Sequence, residues 1–422
     1  MEYFETNFIN YHNEKLYCES ISVEELAEKF STPLFIYSAN EIKKRYKEFF
    51  DAFDYANRKI FFACKSNNNL SIIKLFLNLG AGIDVNSAGE ILKALKAGAS
   101  PEDLIMSGVG KTDEEIELAI KTGIKLLKVE SFEEAIVINE IAKKLNKKAE
   151  IAYRINPNVD PKTHPYITTG LSENKFGFSI DEAFDVCKET LKFENVSLVG
   201  VDMHIGSQIT KVDPFVEATE KLAEFYIEAK RAGAPLKHFD IGGGMGVRYF
   251  NEKPFNIKEL ADMLKPIIAK IDAHIFFEPG RYFMANAGIL VSRVLYTKKN
   301  KSKNFIIVDA AMTELMRPTL YGSYHHIQPV VIDKTREDIV ADIVGPVCES
   351  GDFLAKNRTI SKSLRGDLLA IMSSGAYGMA MSSNYNMRKR AAEILVDGDK
   401  YYEIRKRENY DYIFANEPDI VI

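Results

Sequence analysis

Lys65 closes the apolar run Ile60-Phe61-Phe62-Ala63-Cys64 and is followed at once by the polar stretch Ser66-Asn67-Asn68-Asn69. An amine held where a buried strand meets a loop is poorly solvated, loses its proton more readily and becomes a nucleophile toward a carbonyl carbon. A lysine there also has a plainer use, since most strand-end lysines simply reach out to water. A second group is Gly242-Gly243-Gly244-Met245-Gly246, which fits the dinucleotide pattern GxGxxG in no frame. Ser107-Gly108-Val109-Gly110-Lys111-Thr112 likewise lacks the first glycine of a phosphate loop, because position 105 is Ile. A triple glycine can nonetheless offer bare backbone N–H groups to phosphate oxygens, or form a tight turn. A third group is Glu278-Pro279-Gly280-Arg281. Its acid could pair with a protonated ring nitrogen and its guanidinium could grip a carboxylate, or the two could be a structural ion pair.

The elements that must position these groups alternate regularly. Strand-like apolar runs fall at 59–63, 82–85, 104–106, 126–129, 150–155, 198–204, 238–241 and 274–278. Between them, segments at 71–79, 88–97, 112–121, 131–145, 179–191, 213–231 and 256–271 carry apolar residues at helical spacing. Ser or Thr followed by acids opens several of these, and Gly80, Gly98, Gly123 and Gly233 close others. Eight strands strictly alternating with helices predict a closed (β/α)8, TIM-like barrel, with an open doubly wound sheet as the competitor. The barrel is preferred because Lys65, Asn86-Ser87, Ser107-Gly108, Glu130, Asn156, the run His204 to Gln208, the triple glycine and Glu278 each follow a different strand. In a barrel all such loops converge on one catalytic face.

After Arg281 the sequence changes to short β-branched runs separated by Gly, Pro, Asn and Asp, which predicts a C-terminal all-β domain. The division expected is a barrel over 32–281, with 1–31 and 282–422 forming the β domain. Net charge is -5 over 422 residues, which gives no reason to expect nucleic acid or a membrane surface as partner. No apolar run approaches a membrane span, and the N-terminus has no leader-like apolar stretch. Cys18, Cys64, Cys187 and Cys348 lie far apart in no metal or disulfide spacing, and His325-His326 is the only close histidine pair, so no metal site and a cytoplasmic setting are expected.

A lysine amine, a glycine cradle for phosphate and an acid on one barrel face together specify pyridoxal 5′-phosphate as cofactor. His204, at the end of the sixth strand, could stack on its ring or be an ordinary core histidine. The chain resembles the fold-type III pyridoxal-phosphate decarboxylases. The resemblance is carried by FFACKSN at 61–67, DVNSAGE at 84–90, RINPNVDPKTHPYITTGLSENKFG at 154–177, HIGSQ at 204–208, GGGMG at 242–246, EPGR at 278–281, MRPTLYGSYH at 316–325, GPVCESGD at 345–352 and GAYG at 375–378.

That resemblance implies a Greek-key, sandwich-like β domain, which contributes to the active site and the dimer interface, and a head-to-tail homodimer with shared active sites. It makes Lys65 the cofactor-linking lysine, with His204, Ser207, Gly242, Gly243, Gly244, Glu278, Pro279, Gly280, Arg281 and Tyr377 around the cofactor. Substrate residues fall on Arg281, Arg317, Tyr321, Glu349 and Tyr377. Cys348 falls on the proton donor, supplied with Glu349 by the neighbouring subunit. Cys64, a less usual residue before the lysine, is expected to point away from it as neutral packing. The tripeptide Cys-Glu-Ser occurs at 18–20 as well as at 348–350, and only the second follows Gly-Pro and a β run.

The activity so implied is α-decarboxylation of meso-2,6-diaminopimelate to L-lysine, since two arginines, a tyrosine and an acid suit a far end carrying both carboxylate and ammonium. A decarboxylase for ornithine or arginine is the alternative, although Arg317 would oppose its purely cationic far end. An alanine racemase of this fold would need a tyrosine at Cys348, and a non-catalytic relative should have lost Lys65 or Cys348.

Overall fold

The computed structural model describes residues 2–161, 174–301 and 303–420. The middle of the motif at 154–177 and Ser302 in the basic loop at 298–303 lie outside the described residues. The chain forms two compact units, Arg45–Val247 with Lys253–Tyr282, and Met1–Lys44 with Arg248–Glu252 and Phe283–Ile422.

The first unit is a closed parallel barrel. Its strands are Arg58–Ala63, Gly82–Val85, Leu104–Met106, Leu126–Val129, Ala149–Asn156, Val196–Asp202, His238–Asp240 and His274–Phe277, each paired with the next. The eighth returns to the first through Ile275↔Arg58, Phe276↔Lys59 and Phe277↔Ile60, which excludes the open sheet. Capping explains several of the helix starts. Thr112 and Glu115 form a reciprocal capping box, while Ser87, Ser131 and Ser179 each accept a backbone N–H three residues on.

Inside the barrel, Phe61, Ile105, Leu126, Ala152, Val199 and Phe276 form an apolar cluster. Side chains on a strand alternate with period two, so the residue two positions onward faces the same way, nearer the C-terminal mouth. From Leu126 that step leads to Lys128, from Ala152 to Arg154, and from Phe276 to Glu278. His238, stacked on Phe276 at 4.7 Å, leads in the same way to Asp240. A layer of charge therefore lies one pleat above the apolar layer.

The second unit is built on a mixed sheet running Phe353–Ser361, Asp338–Val344, Asn304–Val308, Gly288–Lys299, Leu34–Ser38, Ala392–Asp397 and Lys400–Arg405. Gly288–Lys299 also pairs with Leu368–Ile371, which pairs with Ile327–Pro329. The N-terminal Ile9, Leu16, Val23 and Leu26 join the core of this unit beside Leu34, Ile289, Ala370 and Ile394. The strand Leu34–Ser38, which the sequence reading puts with the barrel by starting it at residue 32, pairs instead with Gly288–Val291 and Ala392–Val396. Buried along its whole length, such a run suits either sheet, and only partners hundreds of residues away decide between them. Phe353–Ser361 and Lys400–Arg405 are strands that the apolar pattern does not announce, because exposed polar residues interrupt both.

Candidate active site

The first barrel strand ends at Ala63, as expected, and Cys64–Ser66 turn as a short 3-10 helix. Ser66 Oγ donates to the Ala63 carbonyl at 2.8 Å and fixes the turn. Gly280 packs closely on Ser66 and the Ala63 carbonyl, and a Cβ there would crowd both at 2.9–3.0 Å. Lys65 thus projects from a turn wedged by the Pro279-Gly280 loop, with Nζ 3.6 Å from Asp84 Oδ2. Asp84 is fully buried and its Oδ1 accepts the Ser107 hydroxyl at 2.7 Å. Asp84 Oδ2 and Asn86 Nδ2 are buried without a hydrogen bond. Because Cys64 sits in the turn, strand alternation does not govern it, and it is more than inert packing. Its thiol shares a hydrogen bond with Glu90, and burial followed by the Glu90 charge pushes it well above the usual range.

Lys128 fills the centre of the charged layer. Its Nζ donates to Asp202 Oδ1 and Asp240 Oδ2, each at 2.7 Å, and to Glu278 Oε1. Burial alone would strip its proton, but the carboxylates outweigh it and hold the ammonium well above its ordinary value. Burial likewise drives Asp240 up to about 6. It lifts Glu278 well above the carboxylate range, with Asp240, Asp84 and Asp202 adding repulsion against Lys128's pull. Carboxylate atoms of Asp202, Asp240 and Glu278 lie within 4.8 Å of one another, a spacing that could suit a metal ion, and an ammonium stands among them. Sequence reasoning passed over Lys128, Asp84, Asp202 and Asp240. For Lys128 and Asp240 the available signal was a charged residue two positions on from an inward side chain of the same strand, Leu126 and His238.

The loops after the sixth and seventh strands are zipped together. Gln208, at φ +62°, donates through Nε2 to the Val247 carbonyl at 2.6 Å and accepts the Val247 N–H at 3.1 Å. Gly242, at φ +73°, leaves no room for a side chain because a Cβ would strike the Met203 carbonyl, and at Gly243 one would strike the Glu278 carbonyl. The Gly243 N–H donates to His204 Nδ1 at 3.4 Å. Burial, then the charges of Lys65, Arg154 and Lys128, hold the His204 imidazole well below its usual value, so it stays neutral. Arg281 donates through Nε and NH2 to Ser207 Oγ at 3.1 and 2.9 Å, leaving the Ser207 hydroxyl hydrogen available for another acceptor. Lys111, of the incomplete phosphate loop, is spent on the Gly108 and Lys128 carbonyls and on Glu134. An amine, a buried acid, a neutral imidazole and a glycine cradle on one mouth are the donor set that pyridoxal phosphate needs, and Asn86 Nδ2, buried without a hydrogen bond, leaves polar capacity after the second strand.

The remaining candidates stand in the β unit. Arg317 is buried over the Tyr249 ring at 4.6 Å, with NH1 on His325 Nε2 at 2.7 Å and NH2 on Ser323 at 3.3 Å. His325 Nδ1 lies 2.9 Å from the Met372 carbonyl, so it carries the hydrogen and Nε2 is free to accept from Arg317. Arg317 and Tyr321 share one short helix, which Thr319 ties to the Gly351 carbonyl at 2.5 Å. Asp352 anchors the Cys348 loop from within, accepting the Val347 N–H at 2.8 Å and the Met312 N–H at 2.7 Å. At the tip, Cys348 and Glu349 are exposed, the Cys348 N–H donating to Asn386 at 2.9 Å. Tyr377 adopts φ +56°, a strained backbone for a tyrosine.

A family model described as the pyridoxal binding domain of pyridoxal-dependent decarboxylases matches residues 39–285. A protein of Aquifex aeolicus (strain VF5) named diaminopimelate decarboxylase is 49% identical over 414 residues, 98% of either chain. Among solved structures, diaminopimelate decarboxylase from Helicobacter pylori complexed with L-lysine matches with a TM-score of 0.90 and 42% identity, over 93% of this chain and 98% of that one. The M. jannaschii enzyme of that name, in complex with L-lysine, gives 0.93 and 36% over 98% of both.

Proposed function

The chain belongs to the pyridoxal-dependent decarboxylase family, and we propose that it removes one carboxylate of meso-2,6-diaminopimelate as carbon dioxide and releases L-lysine. The observation that carries this reading is near-full-length identity to proteins named for that reaction, two of them in structures holding L-lysine. Pyridoxal phosphate, when bound, supplies the electron sink that accepts the bonding pair left by the departing carbon dioxide.

The chain's own residues do the rest. Lys65 is the amine for the cofactor's aldehyde, and Gly242, Gly243 and Gly244 with Ser207 receive its phosphate. Glu278, with Pro279 and Gly280 setting its loop, holds a proton at the ring nitrogen. His204, being neutral, covers the ring without adding charge. Cys348 delivers a proton from Sγ to the carbon that lost its carboxylate, so one proton replaces one carbon dioxide. Arg281, Arg317 and Tyr321 grip the far carboxylate, Glu349 the far ammonium, and Tyr377 lies near both ligands. Arg317's anchorage on His325, Ser323 and Tyr249 supports a guanidinium fixed in one orientation. Cys348 and Glu349 act in the neighbouring subunit's site, within a homodimer in the cytoplasm.

Ornithine and arginine present only a cation at the far end, which Arg317 would repel. Purified protein given pyridoxal phosphate and each of meso-diaminopimelate, ornithine and arginine should release carbon dioxide from the first alone. Release from ornithine without release from diaminopimelate would overturn the reading.

A further inference from the structure

Lys128 has no part in the roles just given, yet among the described residues it is the most completely buried cation of the barrel. It comes from the fourth strand and meets carboxylates carried by the sixth, the seventh and the end of the eighth. Asp240 takes the ammonium on Oδ2 and uses Oδ1 to accept the Gly242 N–H at 2.8 Å. One cation therefore joins the acid of the site to the first residue of its glycine run.

We propose that Lys128 is a positioning residue for the cofactor. It holds Glu278 and the start of the glycine run in a single hydrogen-bonded frame, and its charge keeps Glu278 able to stand as a carboxylate opposite a ring nitrogen.

Three carboxylates in a dry interior cannot all ionise unpaired, and an adjacent cation favours the charged form of whichever it touches. Remove the cation and each carboxylate gains protons at a higher pH. Remove a competing carboxylate and the others ionise at a lower one. Besides the three partners, Asp84 on the second strand faces the ammonium, and His204, with Lys65 and Arg154 around it, lies on the same mouth. Burial and mutual repulsion already push Asp240 and Glu278 upward, in the direction that makes the ammonium's pull count.

The inference rests on the cofactor reading of this mouth, and one experiment separates the two. Binding of pyridoxal 5′-phosphate to the apoprotein is followed by visible absorbance from the acid to the alkaline side of neutrality, alongside apoprotein melting. Wild type that binds no cofactor would sink the cofactor reading itself. In Lys128→Gln the acid-side midpoint of binding should rise by about one pH unit, so that affinity at a fixed acidic pH falls about tenfold. Lys128→Arg, which restores the charge, should bring the midpoint back. Asp202→Asn should move the midpoint the opposite way, downward, and serves if Lys128→Gln does not fold. A purely structural lysine would lower melting temperature and affinity equally at every pH. Midpoints that coincide with wild type in Asp202→Asn, or in a folded Lys128→Gln, overturn the proposal.

Discussion

Three of the four cysteines are sealed inside the protein, and burial pushes the thiols of Cys18, Cys64 and Cys187 upward. Cys348 is exposed, on a loop whose base is pinned by Asp352 and whose tip is steadied by Asn386. A thiol so placed can give up a proton and recover it from solvent. Cys348→Ala should therefore keep the cofactor's visible absorbance and lose turnover by about two to four orders of magnitude, the usual worth of a general acid. The check is single-turnover carbon dioxide and lysine formation at saturating substrate. A variant as fast as wild type would remove Cys348 as donor.

Among the elements, the clasp between the loops after the sixth and seventh strands carries its own prediction. Gln208 makes both hydrogen bonds to Val247 from a left-handed backbone, a conformation Asn also tolerates. Gln208→Asn keeps the backbone while falling one methylene short of Val247, so cofactor affinity should drop by up to about thirtyfold, two neutral hydrogen bonds being worth about 2 kcal/mol. Equal affinity would mean that the clasp is idle. Such elements were largely readable from the chain. The barrel strands and helices stand out because apolar runs and capped amphipathic segments are local patterns, and the strand-end residues Lys65, His204 and Glu278 sit where loops begin. The charged layer was not readable in the same way. Lys128 looks like a solvated residue in Leu126–Val129, and its partners lie 74, 112 and 150 residues further on, so only barrel closure shows that the charges balance. Leu34–Ser38 failed to declare its sheet for a related reason, since nothing within five buried residues names a distant partner.

At the scale of the whole molecule, the proposed shared site makes Lys65 and Cys348 act from different chains. The Cys348 loop suits that use. Its inner residues are hydrogen-bonded and its tip, Cys348 to Ser350, faces outward, so a rigid loop presents chemistry at the surface of its own chain. In a two-fold symmetric dimer each site then takes one residue from each copy. Lys65→Ala and Cys348→Ala homodimers are each expected to be inactive, for both of their sites lack one of the two groups. A mixed dimer concentrates both defects in one site and leaves the other whole. Co-expression of the two variants with different affinity tags, followed by tandem purification, isolates that mixed dimer, which should recover about half the wild-type turnover per dimer. If both groups came from the same chain, neither site of the mixed dimer would be intact and its turnover would stay at the level of the parents. That result, or a sedimentation velocity profile showing an active monomer, would place Cys348 in the site of its own chain.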